Sequence, residues 1–282
     1  MVVWVTGSEG QLGRSLQRVC TESEDRWLFT DREVDITNRA CVEAFVRDEQ
    51  VDVIINCAAY TDVERAEEEE SKAYALNATA VGYLAEAAKQ RDAMLMHIST
   101  DYVFMGGCCA LLNEQSQPNP INAYGRTKLA GEELIKASGC HYMIFRTAWL
   151  YSQYGKNFVK TILRLSAERE ELMVVDDQIG SPTYAGDLAE ALLEVIRERR
   201  FKEGIYHYTN LGECSWWEFA VMICHLAGHG TLVKPCTSAQ YPSRVNRPKN
   251  AVLDKHKIQD RLGLVIPHWK ESLKRYFDEL QA

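Results

Sequence analysis

Tyr124-Gly125-Arg126-Thr127-Lys128 sets a phenol and an ammonium four residues apart, and so on one face of any helix that spans them. A cation beside a phenol favours the phenolate. The spacing therefore predicts a tyrosine whose pKa is lowered, usable as an acid or base near neutral pH. None of the other 12 tyrosines in the chain has a lysine at that offset. The pair follows Ser99-Thr100-Asp101-Tyr102, where the Thr100 hydroxyl could steady a substrate carbonyl oxygen while Tyr124 delivers a proton. Ser99 competes with Thr100 for that role. A second constellation stands near the start, where Gly7, Gly10 and Gly13 form G-x-x-G-x-x-G around Gln11 and Leu12. Glycines there permit a tight bend, close approach of the backbone to a pyrophosphate, and close packing of helix on strand.

An acid at Asp31 stands at the distance from these glycines at which a carboxylate accepts bonds from a ribose 2′-hydroxyl, which argues for NAD. Arg32 beside it could pair with a 2′-phosphate, which argues for NADP. The two residues leave the choice between NADPH and NADH open. Asp35 and Ile36 suit the adenine amino group and ring face, although a helix cap at Thr37 or Asn38 accounts for the same segment.

These motifs need particular elements to hold them. The residues up to Val5 read as a buried strand, the glycines as a turn, and Arg14 to Cys20 as a helix. Further strands are expected at Trp27–Thr30, Val51–Asn56, Met94–Ile98 and Tyr142–Phe145, with helical segments at about 38–49, 71–90 and 121–138 between them. Alternation of this kind predicts a doubly wound, Rossmann-type parallel sheet, and such sheets bind ligands at the carboxyl ends of their strands. Every motif above falls at one of those ends. Past residue 150 the alternation weakens and turn residues cluster. The expected organisation is a dinucleotide-binding domain over 1–150 and, over 151–282, mainly a smaller C-terminal substrate-binding lobe, some of whose segments return to the first domain. The run Glu67-Glu68-Glu69-Glu70 reads as a solvated stretch favouring the start of the next helix.

The 282 residues are 46% hydrophobic and 26% charged, with 32 basic against 40 acidic side chains and a net charge of −8. That balance disfavours nucleic acid and anionic lipid as partners but leaves small anionic ligands open. No apolar run is long enough to span a bilayer, and the N-terminus lacks the pattern of a signal peptide, so a cytoplasmic protein is expected. Nine scattered cysteines, including Cys108 and Cys109, read as reduced thiols. Cys224, His225 and His229 supply at most three metal ligands and read as a helix end, so no metal site is expected.

Taken together, the glycine turn, Cys57-Ala58-Ala59-Tyr60-Thr61, Ser99-Thr100-Asp101-Tyr102-Val103-Phe104 and Tyr124-Gly125-Arg126-Thr127-Lys128-Leu129-Ala130-Gly131-Glu132 resemble the extended short-chain dehydrogenase/reductases. More narrowly the chain is similar to the dTDP-4-dehydrorhamnose reductase family. Arg146–Tyr151, Asp177–Thr183, Gly204–His207, Trp216 with Phe219, and Arg247-Pro248 extend that similarity nearly end to end. The resemblance implies Thr100, Tyr124 and Lys128 as the catalytic set, with Lys128 also holding the nicotinamide ribose. It implies Gly10, Gln11 and Leu12 at the pyrophosphate, Asp31 and Arg32 at the adenosine, and Ala58, Ala59 and Tyr60 along the middle of the cofactor. Thr61, Val63, Tyr102 and Trp149 would line a dTDP-linked 4-keto-6-deoxy sugar, with Trp149 offering an apolar face to sugar or base unless it is a core residue. Arg247 is our candidate for the substrate diphosphate, against the reading of a surface ion pair.

The implied reaction is reduction of the C4 keto group of dTDP-4-dehydro-6-deoxy-L-mannose. Another nucleotide-linked 4-keto sugar is the alternative, because Met105–Leu112 is more apolar than the family's usual loop. A non-catalytic regulatory subunit, like the related methionine adenosyltransferase β subunit, is the alternative of another class. Some family members dimerise through a metal held by a glutamate just after the glycine turn. Arg14-Ser15 stands there in this chain, so any homodimer is expected to form without one.

Overall fold

The computed structural model describes residues 1–107, 111–241 and 243–281; Cys108, Cys109 and Ala110, within the apolar loop singled out above, lie outside that set. The first half of the chain runs β1 (Val2–Thr6), α1 (Gln11–Val19), β2 (Arg26–Thr30), α2 (Arg39–Asp48), β3 (Val53–Asn56), α3 (Val63–Glu68), α4 (Glu70–Tyr74), α5 (Ala80–Arg91), β4 (Met94–Thr100), α6 (Ala123–Ser138) and β5 (His141–Thr147). There follow β6 (Leu150–Tyr151), α7 (Phe158–Glu168), β7 (Glu171–Val175), β8 (Ile179–Gly180), β9 (Thr183–Tyr184), α8 (Ala185–Arg197) and β10 (Gly204–His207). The chain closes with β11 (Cys214–Ser215), α9 (Trp216–Leu226), β12 (Leu232–Cys236), α10 (His256–Leu262) and α11 (Trp269–Gln281).

Six strands form one parallel sheet in the order β2-β1-β3-β4-β5-β10. The chain moves outward from β1 in both directions, so the crevice between the ends of β1 and β3 is the switch point where ligands of doubly wound sheets sit. Alternation within β1 shows why both faces are covered. Val3 and Val5 join one apolar cluster with Leu12 and Leu16 of α1 and Leu188 and Leu192 of α8. Trp4, pointing the other way, joins Val42 of α2, Leu84 of α5 and Ile135 of α6. A third cluster is built from residues past 150, including Tyr151, Val159, Phe219, Trp269 and Tyr276. Among the described residues no helix is long and apolar enough to cross a membrane.

Two local expectations change. The segment at 71–90 is not one regular helix, because a π turn at Ala75–Thr79 separates α4 from α5. That wide turn carries the buried Asn77, whose amide bonds both backbone groups of Tyr60 and the Thr127 hydroxyl. Nor is the glutamate run simply solvated. Glu67 accepts from the backbone N–H of Ala123 at 2.7 Å, Glu69 from the Tyr60 hydroxyl at 2.6 Å, and Glu70 pairs with Arg126 at 3.0 Å. Glu67 and Glu70 satisfy donors in the first turn of α6, and Glu69 one after β3, none of which local spacing assigns to them.

Candidate active site

The turn after β1 is built around contacts that admit no side chain. Gly7 has φ +63°, and a Cβ on it would meet the Ala58 nitrogen at 2.6 Å; one on Gly13 would meet the Gly7 oxygen at 2.5 Å. Gly10 caps α1 without a side-chain bond, and no acid occupies its first turn, which leaves its amides free for an anion. These features fit a pyrophosphate.

A cavity of about 1090 Å³ opens at this end of the sheet. Gly7, Gly10, Gln11, Leu12 and Gly13 line it, as do Asp31, Arg32, Asp35 and Ile36 beyond β2. Ala58 and Ala59 after β3 join them, with Thr61 and Val63 further along. Thr100, Tyr102, Tyr124, Lys128, Trp149 and Arg247 complete the set of residues picked from sequence. Tyr60 is the exception, since it does not line the cavity and its hydroxyl is spent on Glu69. Asn38, and not Thr37, caps α2, which leaves Asp35 bonded to Thr37 while still facing the cavity. Arg247 combines both readings, because it lines the cavity beside Tyr102 and lies 3.7 Å from Glu64.

Within the cavity Thr100 contacts the Tyr124 phenol, accepts from the backbone of Tyr102 at 3.2 Å, and donates to Asp101 at 3.0 Å. Ser99 is committed elsewhere, donating to the buried Glu132 at 2.5 Å, so Thr100 is the hydroxyl that faces Tyr124. Lys128 does not lower the Tyr124 pKa as its spacing suggested. Burial pushes the phenol up instead, against the opposing effect of the nearby Thr100 hydroxyl. The Nζ end of Lys128 turns towards the sheet, to the Ile98 carbonyl at 2.7 Å and His97 at 3.2 Å. Helical spacing fixed the common face of the two residues but not the direction of the flexible lysine stem.

Sequence reading missed Trp216, Phe158 and Lys156, which also line the cavity. Trp149 stacks on Trp216 with ring centroids 3.5 Å apart, and Phe158 lies against Trp216 at 4.4 Å. Trp216 enters the sequence reading only with Phe219 as part of the family likeness and not as a site residue, because α9 reaches this wall only through tertiary packing. Among the described residues of the apolar loop, Met105–Gly107 and Leu111–Leu112, none lines the cavity.

Asp101 was likewise not singled out, yet its buried carboxyl holds its proton up to about 7 for lack of solvation. An unfolded aspartate releases its proton at about 4. Between those values the native chain binds the extra proton, so stability is full at low pH and is lost as pH rises to about 7. Asp101→Asn removes this slope: urea midpoints should show the wild type losing a few kcal/mol relative to the variant between about pH 4 and 7, and nothing further above. Parallel stability curves would contradict it.

A family model described as RmlD substrate binding domain matches residues 1–282. The dTDP-4-dehydrorhamnose reductase of Aggregatibacter actinomycetemcomitans is 41% identical over 282 residues, covering 96% of each chain. The chain belongs to the RmlD family of dTDP-4-dehydrorhamnose reductases. Among solved RmlD relatives, the reductase from Clostridium acetobutylicum superposes with a TM-score of 0.96 at 43% identity, covering 100% of both chains. The reductase from Bacillus anthracis, solved in complex with NADP, gives 0.93 at 41% identity over 99% of each. The likeness spans the whole RmlD chain, so both halves of the cavity fall inside it.

Proposed function

We infer that this chain is an NAD(P)H-dependent oxidoreductase that reduces the C4 keto group of dTDP-4-dehydro-6-deoxy-L-mannose, giving dTDP-L-rhamnose. The observation that carries the reading is one cavity joining the glycine turn, the Thr100–Tyr124–Lys128 group and the Trp149–Arg247 wall. A reduced nicotinamide, when bound, supplies the hydride. Gly7, Gly10, Gln11, Leu12 and Gly13 hold the pyrophosphate on the free amides of α1. Asp31, Arg32, Asp35 and Ile36 take the adenosine end, while Ala58 and Ala59 flank the middle.

Tyr124 is the proton donor. Its phenol keeps its proton at neutral pH because burial opposes the phenolate, and an alkoxide forming on the sugar is basic enough to take it. Thr100 holds the phenol and the reacting oxygen in line. Thr61, Val63 and Tyr102 border the sugar, Trp149 offers it or the base a flat apolar face, and Arg247 faces the diphosphate. We assign residues 1–150 to dinucleotide binding and 151–282 mainly to the substrate lobe, with α8, β10 and α10 returning to the sheet. A cytoplasmic location and, if the chain dimerises, a contact without a bridging metal complete the reading.

The test is oxidation of NADPH and of NADH, followed by nicotinamide absorbance, with freshly generated dTDP-4-dehydro-6-deoxy-L-mannose. Turnover with this sugar supports the reading. Turnover only with other nucleotide-linked 4-keto sugars changes the substrate, and none with any keto sugar rejects the enzyme.

A further inference from the structure

A buried chain of polar groups runs beneath the cavity floor from the glycine turn to Lys128. The Asn56 carboxamide oxygen accepts from the Thr6 hydroxyl at 2.7 Å and from the backbone N–H of Ala58 at 3.2 Å. A backbone N–H can only donate, so Ala58 fixes which end of the amide is oxygen. The Asn56 NH₂ group must then face His97 Nδ1, 3.0 Å away, and donate to it. A neutral imidazole that accepts at Nδ1 carries its proton on Nε2. That Nε2–H points at Lys128 Nζ, 3.2 Å away. An ammonium has no lone pair to receive it, whereas a neutral amine does, and the amine still donates to the Ile98 carbonyl at 2.7 Å.

We propose that His97 is a positioning residue that presents Nε2–H to Lys128 and so favours the neutral amine form of this side chain until a ligand's phosphates enter the cavity. The phosphates' negative charge then favours the ammonium, a proton passes from solvent to Nζ, and Nζ turns from His97 towards the cavity, where its donors are needed. The inference rests on the assignment of Lys128 to the active site made above.

The surroundings agree. His97 and Lys128 are both buried, and the titratable groups bearing on the lysine are His97 on β4, Cys57 after β3 and Glu132 on its own helix, with Asp101 and Tyr124 sharing the cavity. Glu132 is neutralised by Arg146 at 2.6 Å, and burial pushes the Cys57 thiol up to about 12, so neither supplies a free anion. Burial lowers Lys128 to about 8. It also keeps His97 uncharged.

The direct test reads the imidazole tautomer in the wild-type protein by long-range ¹H–¹⁵N spectroscopy at about pH 8, with His97→Phe identifying the signal. A neutral Nε2–H ring at His97 supports the proposal; an Nδ1–H ring or an imidazolium overturns it. The second test titrates NADP⁺ calorimetrically in buffers of different ionisation heat. Wild type should take up about half a proton near pH 8, and His97→Phe, whose Lys128 is expected to titrate about one unit higher once the Nε2–H donor is gone, about a tenth. Equal uptake by the two proteins overturns it. The limb of the pH–rate profile set by Lys128 should move up by about one unit in the variant. Should NADP⁺ fail to bind at all, the site assignment falls, while the tautomer still decides the role of His97.

Discussion

Tyr124→Phe should lower turnover by roughly 10²–10⁴-fold while leaving NADP⁺ affinity nearly unchanged, because only the hydroxyl that delivers the proton is lost. The ring itself remains to pack edge-on against Tyr102, whose centroid is 5.5 Å away. The cavity walls to which we assign the dinucleotide, the glycine turn above all, do not depend on the phenol. Thr100 keeps its other partners, Asp101 and the Tyr102 backbone, so its hydroxyl stays in place in the variant. Steady-state rates beside calorimetric NADP⁺ binding check the prediction. Undiminished turnover would remove Tyr124 from the mechanism, and a parallel loss of cofactor binding would mean that the substitution had disturbed the site rather than the chemistry.

The second large effect lies under the site. Arg146 on β5 and Glu132 on α6 form a two-point ion pair at 2.9 and 2.6 Å, and their side chains are 1% and 0% exposed. Ser99, next to Thr100, donates into the same carboxylate, and the Arg146 guanidinium lies 5.0 Å above the Phe104 ring. Arg146→Met leaves Glu132 buried with Ser99 as its remaining direct partner. Removing one member of such a pair destabilises by about 3–5 kcal/mol, because the charge that stays behind has neither solvent nor counter-ion. Denaturant midpoints should register that loss. The double variant Arg146→Met with Glu132→Leu should recover most of it, since no uncompensated charge is left. A single variant as stable as wild type would show that solvent reaches this carboxylate.

Much of this molecule could be read from local pattern. The strand ends at Thr30 and Asn56 follow from apolar runs that stop at polar residues, those of β4 and β5 lie two residues past such runs, at Thr100 and Thr147, and the glycines at 7, 10 and 13 follow from backbone approach alone. Nearly all the site residues that sequence marked line the cavity, because a parallel sheet collects its strand ends on one edge. Tyr60 escaped this logic: it follows a strand end like its neighbours, but Glu69, nine residues on, takes its hydroxyl.

What spacing cannot supply is the direction of a flexible side chain and the solvation of its charge. Four-residue spacing put Tyr124 and Lys128 on one helix face; only the fold shows that burial raises the phenol and that the lysine turns to His97. The same holds for Asp101, an ordinary acid in the sequence that becomes a retained proton once it is buried, and for Trp216, brought beside Trp149 from 67 positions further along the chain. The sequence by itself determined the sheet, the phosphate turn and the identities of the reactive groups, because these depend on periodicity and backbone sterics. Tertiary structure decided their protonation and their partners, because both depend on which distant atoms replace water around a charge.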